Sequence, residues 1–277
     1  MIGLSVSSFY YQSKNSTAEH AFRDAEIRDK IEQLHVDFPG YGYRRIYAQF
    51  LRDGLRINAK KIRRIMREFK LFPVMWRGFK IATTDSNHSH RIYPNLLKGK
   101  PVNRVNQVWV ADITYIRILT EFIYLAVVMY SYSRKILGWA ISKKIDRNLC
   151  IEALKGALES RQSPAGCIHH SDRGVQYASD DYIALLRQAG FEISMSAKGN
   201  PYDNAFMESF MKTLKYEEIH LNEYETWDDV KNRLPQFIEQ VYNKKRLHSS
   251  LGYLPPEEFE QVIQNMKPAN RPVLSLS

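Results

Sequence analysis

Between residues 107 and 145, three β-rich runs follow one another with two-residue gaps: QVWVADITYIRI, EFIYLAVVMYSY and KILGWAISKKI. Val, Ile, Tyr, Phe and Trp fit a pleated, half-buried surface, and gaps that short predict antiparallel hairpins. The chain must therefore build a sheet here and cover it. The residues that follow supply the cover. NLCIEALKGALESR (148–161) reads as a helix, GCIHHSD (166–172) as a short strand, SDDYIALLRQAG (179–190) as a helix, FEISMSA (191–197) as a strand, and residues 204–219 as a longer helix. The order βββαβαβα predicts an α/β protein with a mixed sheet. No internal repeat or low-complexity tract interrupts it.

Ahead of this block the pattern is helical. Ile27, Ile31 and Leu34 stand at helical spacing, and FPG (38–40) ends that helix. Tyr43, Ile46, Tyr47 and Phe50 fall at i, i+3, i+4 and i+7, and DG at 53 and 54 turns the chain. Asn58 is placed to cap a third helix, AKKIRRIMREFK, whose Ile62, Ile65, Met66 and Phe69 form the apolar stripe. Two helices across a short Gly turn suggest a helix-turn-helix. The second helix of such a pair lies in the major groove, and Lys60, Lys61, Arg63, Arg64, Arg67 and Lys70 against the single acid Glu68 suit DNA phosphates. A solvated helix of a small bundle is the plainer alternative, against which the absence of Glu/Lys alternation counts.

Charge has the same partition. Residues 1–100 hold 19 Lys and Arg against 9 Asp and Glu, whereas residues 101–277 hold 21 of each, so the whole net charge of +10 lies in the first third. A localised basic excess is the footprint of a nucleic-acid partner. Residues 73–104, polar and dotted with Pro, read as a linker. With 277 residues there is length for a real core, and no run approaches the 18 apolar residues of a membrane span. The N-terminus has no secretory pattern, so a cytoplasmic protein is expected, with no membrane partner. Cys150 and Cys167 do not form Cys-x-x-Cys, which argues against a zinc ribbon and a disulfide scaffold.

Three acids resist a local explanation. Asp112 interrupts the first apolar strand, Asp172 ends the fourth strand in HHSDRG, and Glu208 stands past the third helical position that a capping box requires. Each has an ordinary reading as a solvent-facing strand residue, a turn former, or an ion pair with Lys212 at i+4. Together they occupy the first strand, the end of the fourth, and a helix after the fifth. A ribonuclease-H-like fold gathers carboxylates around metal with this topology. Mg²⁺ and Mn²⁺ prefer oxygen ligands and keep waters, and two such ions roughly 3.5–4 Å apart can activate the attacking oxygen and stabilise the leaving oxygen of a phosphodiester displacement.

Four stretches, VWVADITYI, HSDRGVQY, KGNPYDNAFMESFMKTLK and YNKKRLHSSLGYLPPEEF, together with the 35 residues between Asp172 and Glu208, resemble the DDE transposases related to retroviral integrases, specifically the orfB-type products of the insertion-sequence-three family. The resemblance runs from about residue 20 to 260. It implies a ribonuclease-H-like core preceded by an all-α helix-turn-helix domain, with Asp112, Asp172 and Glu208 catalytic and holding two Mg²⁺ or Mn²⁺ ions. The implied reaction is cleavage of a DNA strand by water, then transfer of the 3′-hydroxyl to a phosphodiester at an element end or in target DNA. The implied division is an N-terminal extension (1–19), a helix-turn-helix domain (20–72), a linker (73–104), the catalytic core (105–222) and a C-terminal helical extension with tail (223–277). Lys198 and Asn204 in the loop and helix start, Lys212 and Lys215 on the helix of Glu208, and Lys244, Lys245, Arg246 and His248 downstream are the implied DNA contacts. A homo-oligomer holding two DNA ends in a synaptic complex, association with the nucleoid, and an upstream orfA-type product as fusion or partner also follow. Ala111 departs from the hydroxyl residue expected before the first acid, and no leucine zipper is visible. Rival readings are zinc at His169 and His170, which lack a third ligand at recognisable spacing; a tyrosine recombinase, whose Arg/His set is missing; a DNA-binding regulator; and a plain nuclease.

Overall fold

A computed structural model describes residues 17–74, 90–97, 106–161, 165–196, 205–267 and 270–272. The chain divides between Val74 and Met75 into two compact units. In the first, helices α1 (Thr17–Asp37), α2 (Tyr43–Arg52) and α3 (Ala59–Glu68) bury Ile31, Ile46, Phe50, Ile62 and Ile65 against one another. Gly54, at φ +78°, makes the turn after α2 that an L side chain would strain. Asn58 caps α3 as expected, its Oδ1 accepting the Lys60 N–H at 2.8 Å.

The second unit is built on a five-stranded mixed sheet in the order β3-β2-β1-β4-β5. Its strands are β1 (Val108–Arg117), β2 (Phe122–Tyr130), β3 (Lys135–Ser142), β4 (Ile168–Ser171) and β5 (Glu192–Met195). The first three form antiparallel hairpins, and β4 and β5 run parallel to β1. Parallel strands need crossovers, here α4 (Arg147–Ser160) between β3 and β4 and α5 (Asp180–Gln188) between β4 and β5. At Gly138 of β3, a Cβ would lie 2.3 Å from both the Ala153 carbonyl oxygen and the Ala157 nitrogen, so α4 rests directly on strand backbone.

Helix α6 (Ala205–Leu214) turns Phe206, Met207, Phe210, Met211 and Leu214 to the core, and a π-helical turn, Lys215–Ile219, continues it. Next come α7 (Trp227–Pro235), a second π-helical stretch (Gln236–Tyr242), a 3₁₀ turn (Ser249–Leu251) and α8 (Pro256–Asn265). Leu234, Ile238, Tyr242, Phe259 and Ile263 from this last part share one hydrophobic core with the sheet. Of residues 73–104, expected to form a linker, only 73–74 and 90–97 are among the described residues. Residues 90–97 lie along β5, with Leu97 buried, the Leu96 N–H donating to Ser194 Oγ at 2.9 Å and the Pro94 carbonyl accepting from Met195. The apolar Tyr93, Leu96 and Leu97 supply the reason, since they pack on the core. Among the described residues no helix is long and apolar enough to cross a membrane.

Candidate active site

β4 pairs with β1 through Val110↔His170, the last pair of the parallel register. Two residues further, Asp112 and Asp172 stand at equivalent places just past that pair, where among the described residues β2 is the only strand flanking β1. Asp172 thus lies just beyond the carboxyl end of β4, the place where open α/β sheets bind ligands, and Asp112 lies in the middle of the neighbouring β1. Both residues are half-buried. The Asp112 Oδ1 accepts the Ile113 N–H at 2.8 Å, and the Asp172 Oδ1 accepts the Gly174 N–H at 2.9 Å in an Asx turn. A Cβ on Gly174 would come to 3.0 Å from that same Oδ1 and from the Gln176 Oε1, so one or both side chains would have to give way by a few tenths of an ångström.

Burial first, then the negative charge of Asp172 and, less strongly, of Glu208, push the Asp112 carboxyl up to about 7; the Ile113 N–H and the Lys215 ammonium act the other way. The structure thus brings Asp112 and Asp172 together, with Glu208 close enough to be felt. Glu208 itself is exposed on α6, at the rim. Among the described residues, no three His, Cys, Asp or Glu side chains converge tightly enough to form a ready-made metal cage. The donor chemistry nevertheless fits a hard divalent cation: carboxylate oxygens, with a repulsion that a cation relieves. Lys215 opens the π-helical turn, its Nζ 4.3 Å from the centre of the Tyr115 ring, and burial lowers its pKa while Asp112 opposes the shift. Lys212 is exposed and lies over Tyr216.

The two histidines are packing residues. His169 is fully buried, edge-on to Tyr182 and Phe191, and its Nε2 meets the Tyr182 hydroxyl at 3.0 Å; burial and the neighbouring His170 lower its pKa to about 3. His170 Nδ1 meets Ser194 Oγ at 2.8 Å. Neither arrangement resembles a zinc site. A cavity of about 120 Å³, lined by Tyr130, Tyr132, Arg161, Phe259 and Glu260 among others, involves none of the three acids.

The expected DNA contacts fare unevenly. Lys198 and Asn204 lie outside the described residues. Lys60, Arg63 and Arg67 of α3 are exposed, Arg63 over the Tyr43 ring. Lys61 and Arg64 instead bind Asp24 of α1 at 2.9 and 2.5 Å, and Arg64 also reaches Glu68 at 2.8 Å. Lys244 and Lys245 are exposed. Arg246 and His248 are not exposed as the lysines are. Both are buried: Arg246 grips Glu217 through two hydrogen bonds of 2.6 and 2.7 Å, and His248 packs edge-on against Tyr242. A guanidinium needs paired burial, and Glu217 supplies it; no spacing in YNKKRLHSS distinguishes the inward cation from its outward neighbours.

Comparison with known proteins agrees with this architecture. Two family models described as integrase core domain match residues 102–201 and 189–256, and one described as HTH-like domain matches residues 22–78. An uncharacterized 31 kDa protein of insertion element IS600 from Shigella sonnei is 35% identical over 268 residues, covering 96% of this chain and 98% of its own. The transposase InsF for insertion sequence IS3A of Escherichia coli K12 is 34% identical over 261 residues, covering 93% of this chain and 85% of its own. In fold, a chain of a simian T-cell lymphotropic virus intasome aligns at a TM-score of 0.50 and 15% identity, over 79% of this chain and 70% of that one. The sheet order, the helix-turn-helix unit and this identity over nearly the whole chain place the protein in the insertion-sequence-three family of transposases, built on a ribonuclease-H-like integrase core.

Proposed function

We propose that this chain cuts DNA strands at the ends of an insertion sequence and transfers the resulting 3′-hydroxyl to a phosphodiester, with Asp112, Asp172 and Glu208 as the catalytic carboxylates. One observation carries this reading: Asp112 and Asp172 meet past the last β1–β4 pair, and the Asp112 carboxyl is raised by burial and by the charges of the other two. Asp112 and Asp172 would hold the first of two Mg²⁺ or Mn²⁺ ions, and Glu208 would complete the set from the rim. When bound, such ions activate the attacking oxygen and stabilise the leaving oxygen of an in-line displacement. The chain's own residues do the rest. The Asx turn at Gly174 holds Asp172 in one orientation, the buried apolar face of α6 turns Glu208 outward at the rim, and Lys215 sets a positive charge beside the carboxylates for a phosphate. Lys60, Arg63 and Arg67 supply cations to the DNA backbone from α3. The proposed partners are element-end and target DNA, a second copy of the chain in a synaptic complex, and an orfA-type product.

The test is incubation with labelled element-end DNA and Mg²⁺ or Mn²⁺, comparing wild type with Glu208→Gln. Nicked and joined products that vanish in the variant support the reading; products that persist defeat it. Cut DNA released without joining indicates a nuclease on the same fold. DNA binding with no cutting by wild type, in the presence of the orfA-type product, indicates a regulator.

A further inference from the structure

The segment YNKKRLHSS turns its most distinctive side chains inward, onto α6, β3 and the π-helical turn that follows α6. Tyr242 is buried edge-on against Phe210 of α6 at 4.8 Å, two residues from Glu208 in sequence. Asn243 is buried and pairs with β3 as a strand would: its Oδ1 accepts the Ile136 N–H at 2.9 Å and its Nδ2 donates to the Ile136 carbonyl at 3.0 Å. This pairing falls where the β2–β3 register shifts at Val128/Met129, which makes it a splint at an irregular place in the sheet. Arg246, three residues on, holds Glu217 with two parallel hydrogen bonds of 2.6 and 2.7 Å, both side chains almost fully buried. Glu217 belongs to the π-helical turn that begins at Lys215.

We propose that Arg246, acting through Glu217, is a positioning residue for the active site: it fixes the turn after α6 and with it Lys215 and Glu208 relative to Asp112. This rests on the reading of Asp112, Asp172 and Glu208 given above. The geometry favours it over a DNA contact, because an almost fully buried guanidinium whose Nε and Nη2 both donate to Glu217 would have to break two charge-assisted bonds to reach a phosphate. It also differs from plain structural support. Breaking a buried pair from one side leaves a buried charge, and here that charge sits in the same turn as Lys215, whose ammonium acts on the Asp112 carboxyl.

Two variants test it in the full chain: Arg246→Lys, which keeps the charge and loses the fork, and Glu217→Gln, which keeps the shape and loses the charge. Four quantities are measured: affinity for element-end DNA against salt without divalent metal, kcat and KM for DNA cleavage, and the Mn²⁺ concentration giving half-maximal cleavage. The expected result is an unchanged salt slope and KM, a kcat lower by about tenfold or more, and a raised Mn²⁺ requirement. A slope reduced by about one unit identifies Arg246 as a phosphate contact and overturns the proposal. So does an unchanged kcat with an unchanged Mn²⁺ requirement, and so does loss of the fold in both variants, which would make the pair a folding element. Glu208→Gln in the same assay separates this proposal from the one beneath it: if that variant still cleaves, the active-site reading fails whatever Arg246 does.

Discussion

Burial and the charges of Asp172 and Glu208 raise the Asp112 carboxyl from its ordinary 3.8 to about 7, and this makes stability depend on pH. An acid with a raised folded-state pKa binds more protons folded than unfolded between those two values, so stability falls as pH climbs through that window and the loss is complete above about 7. The loss is at most about 4 kcal/mol for a shift of this size. We expect Asp112→Asn, whose amide oxygen can still accept the Ile113 N–H, to unfold at nearly the same urea concentration as wild type at pH 4 and at a higher one at pH 8, both in chelator. Adding Mn²⁺ at pH 8 should narrow the gap by stabilising wild type alone; no pH-dependent gap would mean that neither burial nor the neighbouring charges raise the Asp112 carboxyl. Gly174 belongs to the same scale. Gly174→Ala places a methyl 3.0 Å from the Asp172 Oδ1 and from the Gln176 Oε1, and should lower cleavage about tenfold with the thermal midpoint shifted by only a few degrees. Equal activity with wild type would show that the Asx turn does not orient Asp172.

Between α4 and β3, Gly138 lets helix backbone touch strand backbone. Gly138→Ala would push a methyl to 2.3 Å from the Ala153 carbonyl oxygen and the Ala157 nitrogen, neither of which can swing aside as a side chain tip could. The expected cost is about 3 kcal/mol in denaturant unfolding of the core, from α4 lifting off the sheet; a cost below about 1 kcal/mol would show that the helix rides higher than this contact requires. Helix α6 is held differently. Its buried stripe of Phe206, Met207, Phe210 and Leu214 sets which face turns outward, and Glu208 occurs on that outer face. The carboxylate therefore owes its placement to hydrophobic burial on the opposite side of its own helix.

Over the whole molecule the positive charge is segregated: the excess of +10 belongs to the first 100 residues, and the rest is neutral. DNA affinity should accordingly fall steeply with salt, through cations of the first unit. Replacing Lys60 or Arg67, exposed on α3, by Ala should each reduce the slope of log affinity against log salt by about one unit, measured by fluorescence anisotropy. Lys61→Ala should reduce it less, because Asp24 already neutralises that ammonium. Slopes that respond equally to all three would mean that the Asp24 pairs open on binding DNA.

Much of this was legible in the linear chain. The strand and helix order of the core, the three-helix unit, the Asn58 cap and the turn at Gly54 all follow from local periodicity and turn chemistry, which act over a few residues. The acids stood out because Asp112 violates the pattern of its own strand. What local rules could not reach was direction. Lys244, Lys245, Arg246 and His248 look alike in sequence, yet burial takes Arg246 and His248 inward and leaves the lysines in water, because a partner 29 residues earlier, Glu217, satisfies one guanidinium and Tyr242 offers its ring to one imidazole. Residues 90–97 likewise read as polar linker until β5 provided an edge for them. Periodicity along a chain specifies which residues want burial; which charge may accompany them, and against what, is settled where distant segments meet.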